Sequence, residues 1–154
     1  MSYRMACEKS AWVSAVASLA GATWAASAQC APTNPVAVLQ IHGTRDQVIR
    51  FDGGSIIYRR YPSANETVAG WARMNHCSST PTSRDSLDLL SGHAGSETVV
   101  SAFSDCDPGG NTELWSMQGA NHLPALGVSF SRKVVEWLLK RTKPDGPDRP
   151  AQAD

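Results

Sequence analysis

No stretch of this 154-residue chain approaches the ~20 consecutive apolar residues that a membrane-crossing helix needs. Charge is not concentrated either. Fourteen basic and fourteen acidic side chains cancel with no run of one sign, which argues against a nucleic acid or an anionic membrane as partner. The four cysteines, Cys7, Cys30, Cys77 and Cys106, include no C-x-x-C pair and no cysteine–histidine cluster, and no two histidines stand at the short helical spacing of paired ligands. Those absences argue against zinc and thioredoxin-like chemistry, and neither a metal nor a cofactor is expected. No internal repeat is visible.

What is present suffices for one core. A chain of this length buries roughly 70% of its extended surface on folding. Disulfides are the favoured reading of the cysteines over four reduced core thiols. A Cys77–Cys106 bridge, for example, would close a loop of about 30 residues and stabilise by ~3.5 kcal/mol in the chain-entropy view. Cys7 and Cys30 are the other candidates, and the connectivity stays open. Near the start, Arg4 and Lys9 precede an apolar stretch, Ala11 to Ala26, and Ala26-Ser27-Ala28 has the small-residue pattern of a signal-peptidase site. Glu8 in the basic region, with Ser14, Ser18, Gly21 and Thr23 in the apolar one, favours instead a buried strand between a helix and a loop.

Ser2 to Glu8 reads as the tail of a helix and Trp12 to Leu19 as a short strand. After the connection Ala31 to Pro35, the apolar run Val36 to Ile41 suits a parallel strand covered on both faces. A loop is expected from His42 to Gly54. Ser63 and Glu66 then form a capping box, and Val68, Trp71, Ala72 and Met74 recur at helical spacing, which predicts a helix over Ala64 to Asn75. Cys77 to Gly95, rich in Ser, Thr, Pro and Gly, is expected to be loop with a little helix near Leu87 to Leu90. Strands over Glu97 to Phe103 and Thr112 to Met117 flank the turn Asp107-Pro108-Gly109-Gly110. Ser129 is expected to cap a final helix with Phe130, Val134, Trp137 and Leu138 on one face, Lys140 and Arg141 at its end, and Pro144 as its stop. Strands alternating with helices give an α/β class. The expectation is a mostly parallel sheet of three to four strands flanked by helices over residues 1–143, then a disordered polar tail, 144–154.

In such sheets functional groups gather on loops at the carboxyl ends of strands. Asp46 stands five residues after the strand ending at Ile41, within His42-Gly43-Thr44-Arg45-Asp46, and His122 stands five after the strand ending at Met117, within Gly119-Ala120-Asn121-His122. An acid followed by a histidine makes two thirds of a hydrolytic triad, in which the histidine takes a serine proton and the carboxylate fixes its tautomer. Spacing alone also allows a turn aspartate and an ordinary loop histidine. The third member, a serine on a G-x-S-x-G turn, occurs nowhere in the chain. Other residues carry less weight. His42 is assigned to the tight turn after the strand, His76 and His93 to loops without a partner, and Asp52 is the rival to Asp46. Asp105 and Asp107 flank a candidate disulfide and a turn. Trp71 and Trp115 are the tryptophans that could line a pocket for an aromatic acyl group.

Five blocks together, Ser2 to Glu8, Val16 to Gly21, Pro35 to Asp46, Trp71 to Cys77 and Glu113 to His122, resemble the secreted polyhydroxybutyrate depolymerase and feruloyl esterase family of α/β-hydrolases. The resemblance spans about residues 1–140, and Val38-Leu39-Gln40-Ile41-His42-Gly43-Thr44-Arg45-Asp46 is its most specific part. It implies that Asp46 and His122 are the triad acid and base and that Cys77 pairs with Cys106. It further implies a C-terminal portion of the α/β-hydrolase fold, with the serine elbow a few residues before the position of Met1, and an extracellular or periplasmic location. The implied substrates are esters of hydroxyalkanoate polymers, hydroxycinnamates on plant cell-wall sugars, or short model esters. Two positions depart from the family pattern. His76 stands where relatives often have glycine, and Leu123-Pro124-Ala125 stands where they often have Trp-Pro-Gly, next to the base, where it bears on substrate preference.

The resulting expectation is a carboxylic ester hydrolase portion without its nucleophile, inactive alone, whose segment Trp12 to Leu19 offers an unpaired apolar edge for self-association. A small secreted disulfide-stabilised binding or structural protein, with residues 1–28 as signal peptide, is the alternative. Half of a split hydrolase completed by another chain is a third.

Overall fold

The run expected to be a doubly covered strand forms β2, Ala37–Gly43, buried at every residue. Alternation along it splits the core. Ala37, Leu39 and Ile41 face one layer with Trp115, Met117 and Trp137, while Val36 just before it and Val38 face the other with Tyr3, Ala6 and Trp71. A computed structural model describes residues 1–25 and 29–143. Ala26-Ser27-Ala28 and the segment from Pro144 onward, with the expected helix stop and tail, lie outside the described residues.

Around β2 the chain builds a five-stranded mixed sheet flanked by helices. The strands are β1 (Ala15–Leu19), β2, β5 (Thr82–Leu87), β6 (Thr98–Ala102) and β7 (Thr112–Met117), in the order β1-β2-β7-β6-β5. The pairs β1–β2 and β2–β7 are parallel, whereas β7–β6 and β6–β5 are antiparallel. Helices α1 (Ser2–Glu8) and α2 (Ala64–Met74) supply residues to the clusters on one face, and α3 (Ser129–Leu139) supplies Trp137 to the cluster on the other. A separate hairpin, β3 (Gly54–Ile56) with β4 (Arg59–Tyr61), lies between β2 and α2 in the chain. No helix among the described residues is long and apolar enough to cross a membrane.

Several expectations need correction. The sheet has five strands, not three or four, and half its pairings are antiparallel. The connection Phe103 to Asn111 is too short for the crossover of about a dozen residues that a parallel pair requires, so β6 and β7 must form a hairpin. Thr82–Leu87, expected to be loop running into a little helix, is an edge strand. Its Ser, Arg and Asp suit solvent, and β6 provides the ladder that local propensity does not. The first strand starts at Ala15, and Trp12 is left 83% exposed. Only Val16 of β1 is fully buried, because β1 is a sheet edge. Ser129 is not a cap. Val128 occupies that position, and the Ser129 hydroxyl donates instead to the Asp88 carbonyl at 2.6 Å. The Ser63–Glu66 capping box is formed in both directions, and Phe130, Val134 and Leu138 pack around buried Trp137 as expected.

The four cysteines form two disulfides, Cys7–Cys30 and Cys77–Cys106. The first ties α1 to the connection before β2. The second ties the end of α2 to the β6–β7 turn, where buried Asn75 also grips β2 through the Val36 amide and carbonyl at 3.2 and 2.9 Å.

Candidate active site

β2 and β7 are parallel neighbours, so their outgoing loops leave the same edge of the sheet side by side. Backbone bonds join the two loops: the Thr44 amide donates to Met117 O at 3.0 Å and the Arg45 amide to Ala120 O at 2.9 Å. The Gly119 amide, in a left-handed turn, donates to Thr44 Oγ1 at 2.9 Å. Gly43 allows this approach. A Cβ there would lie 2.4 Å from Ala120 O and 2.6 Å from Asn121 O.

Asp46 and His122 meet on those loops. His122 Nδ1–H donates to Asp46 Oδ2 at 2.8 Å, although 76 positions separate the residues. The Asp46 carboxylate is fully enclosed, while the His122 ring is 30% exposed. Oδ1 of Asp46 accepts the Val48 and Ile49 amides at 2.9 and 3.0 Å. Burial pushes the Asp46 carboxyl pKa upward, but the bonds from His122 and from those two amides outweigh it and hold it below the ordinary value. The carboxylate therefore stays charged and orients the ring through Nδ1–H, which leaves Nε2 turned away from Asp46. Among the described residues no group bonds that nitrogen, and no serine is positioned against it.

The remaining candidates are dispersed. Asp52, the rival acid, is exposed and makes no bond to His122. His93 stays in an exposed loop. His76 does have a partner, contrary to expectation: its Nδ1 lies 2.6 Å from Asp107 Oδ2 in a surface pair brought together by the Cys77–Cys106 bridge. Trp115 is a core residue whose indole donates to Glu113. Trp71 stacks on Tyr3 and lines a groove of about 620 Å³ beside α2, with Trp24, Pro32 and Met74; neither Asp46 nor His122 borders it. Among the described residues no cluster of three or more His, Cys, Asp or Glu could hold a metal ion.

The residue that sequence reasoning misplaced is His42. Rather than serving a turn, its ring is buried against Asp46, with Nε2 3.2 Å from Oδ2 and 2.7 Å from Ile49 O. The available signal was Gln40-Ile41-His42: two polar residues two apart, hence on one face, in a strand otherwise apolar. No protein-family model and no curated protein sequence matches the chain.

Proposed function

We propose that this chain carries the acid and base of a Ser–His–Asp carboxylic ester hydrolase of α/β-hydrolase type, acting on hydroxyalkanoate polyesters or on feruloyl or acetyl esters. The observation that carries this reading is the 2.8 Å bond from His122 Nδ1–H to an enclosed Asp46 carboxylate, with Nε2 left open. In such a site Nε2 accepts the proton of a serine hydroxyl as the oxygen attacks the ester carbonyl, then returns it to the leaving alcohol. Asp46 holds the ring and stabilises the imidazolium between those steps. The 154 residues contain no G-x-S-x-G elbow, so the nucleophile and the oxyanion donors belong to sequence outside them, and the chain alone is inactive. Two disulfides support an oxidising, extracellular or periplasmic location.

Hydrolysis of p-nitrophenyl acetate tests the proposal. The purified chain and His122→Ala should turn over the ester at equal background rates, and a clear excess for the unaltered chain would contradict the assignment. Mixing with a segment that bears a G-x-S-x-G elbow should restore hydrolysis that depends on both Asp46 and His122. Failure of that mixture to gain activity, despite stable association, would count against the acid and base roles.

A further inference from the structure

Behind the Asp46–His122 pair runs a buried row of polar groups whose hydrogens have only one consistent arrangement. His42 Nε2 faces the Ile49 carbonyl at 2.7 Å, and a carbonyl only accepts, so Nε2 carries the proton. Nδ1 then accepts, because the side-chain nitrogen that faces it can only donate. It lies 2.8 Å from the Gln40 side-chain nitrogen, which donates its other proton to Gly21 O at 2.7 Å. That orientation turns Gln40 Oε1 toward Tyr3, whose hydroxyl donates to it. Burial, opposed only by a bond with Ser18, pushes the Tyr3 pKa far above its ordinary value, so the hydroxyl keeps the proton it donates. From α1 to the Ile49 carbonyl each link of the row donates in the same direction.

The row ends at Ile49 O, beside Asp46 Oδ2, which receives His122 Nδ1–H at 2.8 Å and lies 3.2 Å from His42 Nε2, whose hydrogen is directed at Ile49 O. His42 also holds Ile49 O, and Ile49 supplies one of the two amides bonded to Oδ1. One ring thus packs against the carboxylate and restrains the loop that cradles it. We propose that His42 is a positioning residue for the Asp46–His122 pair, with its tautomer set by Gln40 and Tyr3. It moves no proton in this role. Through the Ile49 amide on Oδ1 it fixes which oxygen of Asp46 faces His122 Nδ1. The inference rests on the acid and base reading above.

The test uses the complete 154-residue chain and long-range proton–nitrogen NMR of the histidine rings at about pH 8, where an ordinary imidazole is neutral. In the unaltered chain His122 should be a single Nδ1–H tautomer with a downfield, exchange-protected proton. His42→Phe keeps an apolar ring in the space but removes both nitrogens. It should mix the His122 tautomers and speed exchange of that proton by about fivefold, the size expected for one lost neutral bond. His42→Gln places an amide N–H near the former Nε2 position and should restore the single tautomer. An unchanged His122 spectrum in folded His42→Phe would overturn the proposal. Should that variant fail to fold, Gln40→Leu decides: His42 losing its single Nε2–H tautomer and faster His122 exchange are expected, and no change in either overturns it. Asp46→Asn separates the two readings. If it leaves His122 unaltered, the acid and base assignment itself fails; if it scrambles His122 while His42→Phe does not, only the role of His42 falls.

Discussion

At the scale of single residues, the site depends on a glycine as much as on its ionisable groups. A methyl group at position 43 would strike two carbonyls of the His122 loop, and both are backbone atoms that cannot swing aside. Gly43→Ala should therefore cost about 1–3 kcal/mol by overpacking and also lengthen the Asp46–His122 bond. Urea unfolding reads the first effect and the His122 ring proton the second. The Asp46 carboxyl gives a pH dependence. Its folded pKa lies below the ordinary value of 3.8, so the stabilisation is complete above that value and drains away as pH falls through the depressed folded one. Glu66, held low by bonds from Ser63, acts in the same sense below its reference value of 4.5. The urea midpoint should stay level down to about pH 5 and drop below pH 4, with a shallower acid limb in Asp46→Asn. That Asp46 and His122 lie on one edge of the sheet was readable in the sequence because each follows a strand by the same short offset, whereas their pairing was implied only by the family resemblance. His42 was not readable, since the direction of its hydrogen bonds is set by Tyr3 and Ile49, which only the folded chain brings around it.

At the scale of elements, local signals succeeded where an element is defined by its own residues. The α2 capping box is one such case: Ser63→Ala should cost about 1 kcal/mol, measured by thermal unfolding, while leaving the His122 ring signals in place. They failed where a neighbour creates the element. β5 looks like loop in isolation and becomes a strand because β6 lies beside it. The two sheet edges consequently differ. β5 is exposed and polar, with Arg84 and Asp85, which protects its free side, whereas β1 is Ala-Val-Ala-Ser-Leu. Ala20 donates to Ile41 O and Ser14 accepts from Ala37, so by alternation the amides of Ala15, Ala17 and Leu19 point away from β2. Sedimentation velocity should reveal concentration-dependent association through this edge. Ala17→Pro, which removes an outward amide without touching the β2 ladder, should abolish it.

At the scale of the whole molecule, two covalent links span sequence separations of 23 and 29 residues, both in the core layer on the α1 and α2 face. In the chain-entropy view each bridge contributes about 3.5 kcal/mol, a large share of a typical domain's net stability. Cys106→Ser paired with Cys77→Ser should lower the melting temperature markedly while leaving the Asp46–His122 contact recognisable, because no cysteine touches either residue. The α/β class was legible in the alternation of patterns along the chain. The mixed direction of the sheet was not, since it follows from the length of one connection. The hairpin β3–β4 carries a last consequence. Its turn residues Ile57 and Tyr58 both adopt left-handed conformations, and Tyr58 is fully exposed at the tip. A protease that cuts after aromatic residues should nick the chain there first. Asp46 and His122 would then sit on different polypeptides, yet the β2–β7 ladder would still hold the fragments together. The nicked molecule should migrate as one species under native conditions and as two on denaturation, with its acid–base contact spectroscopically intact.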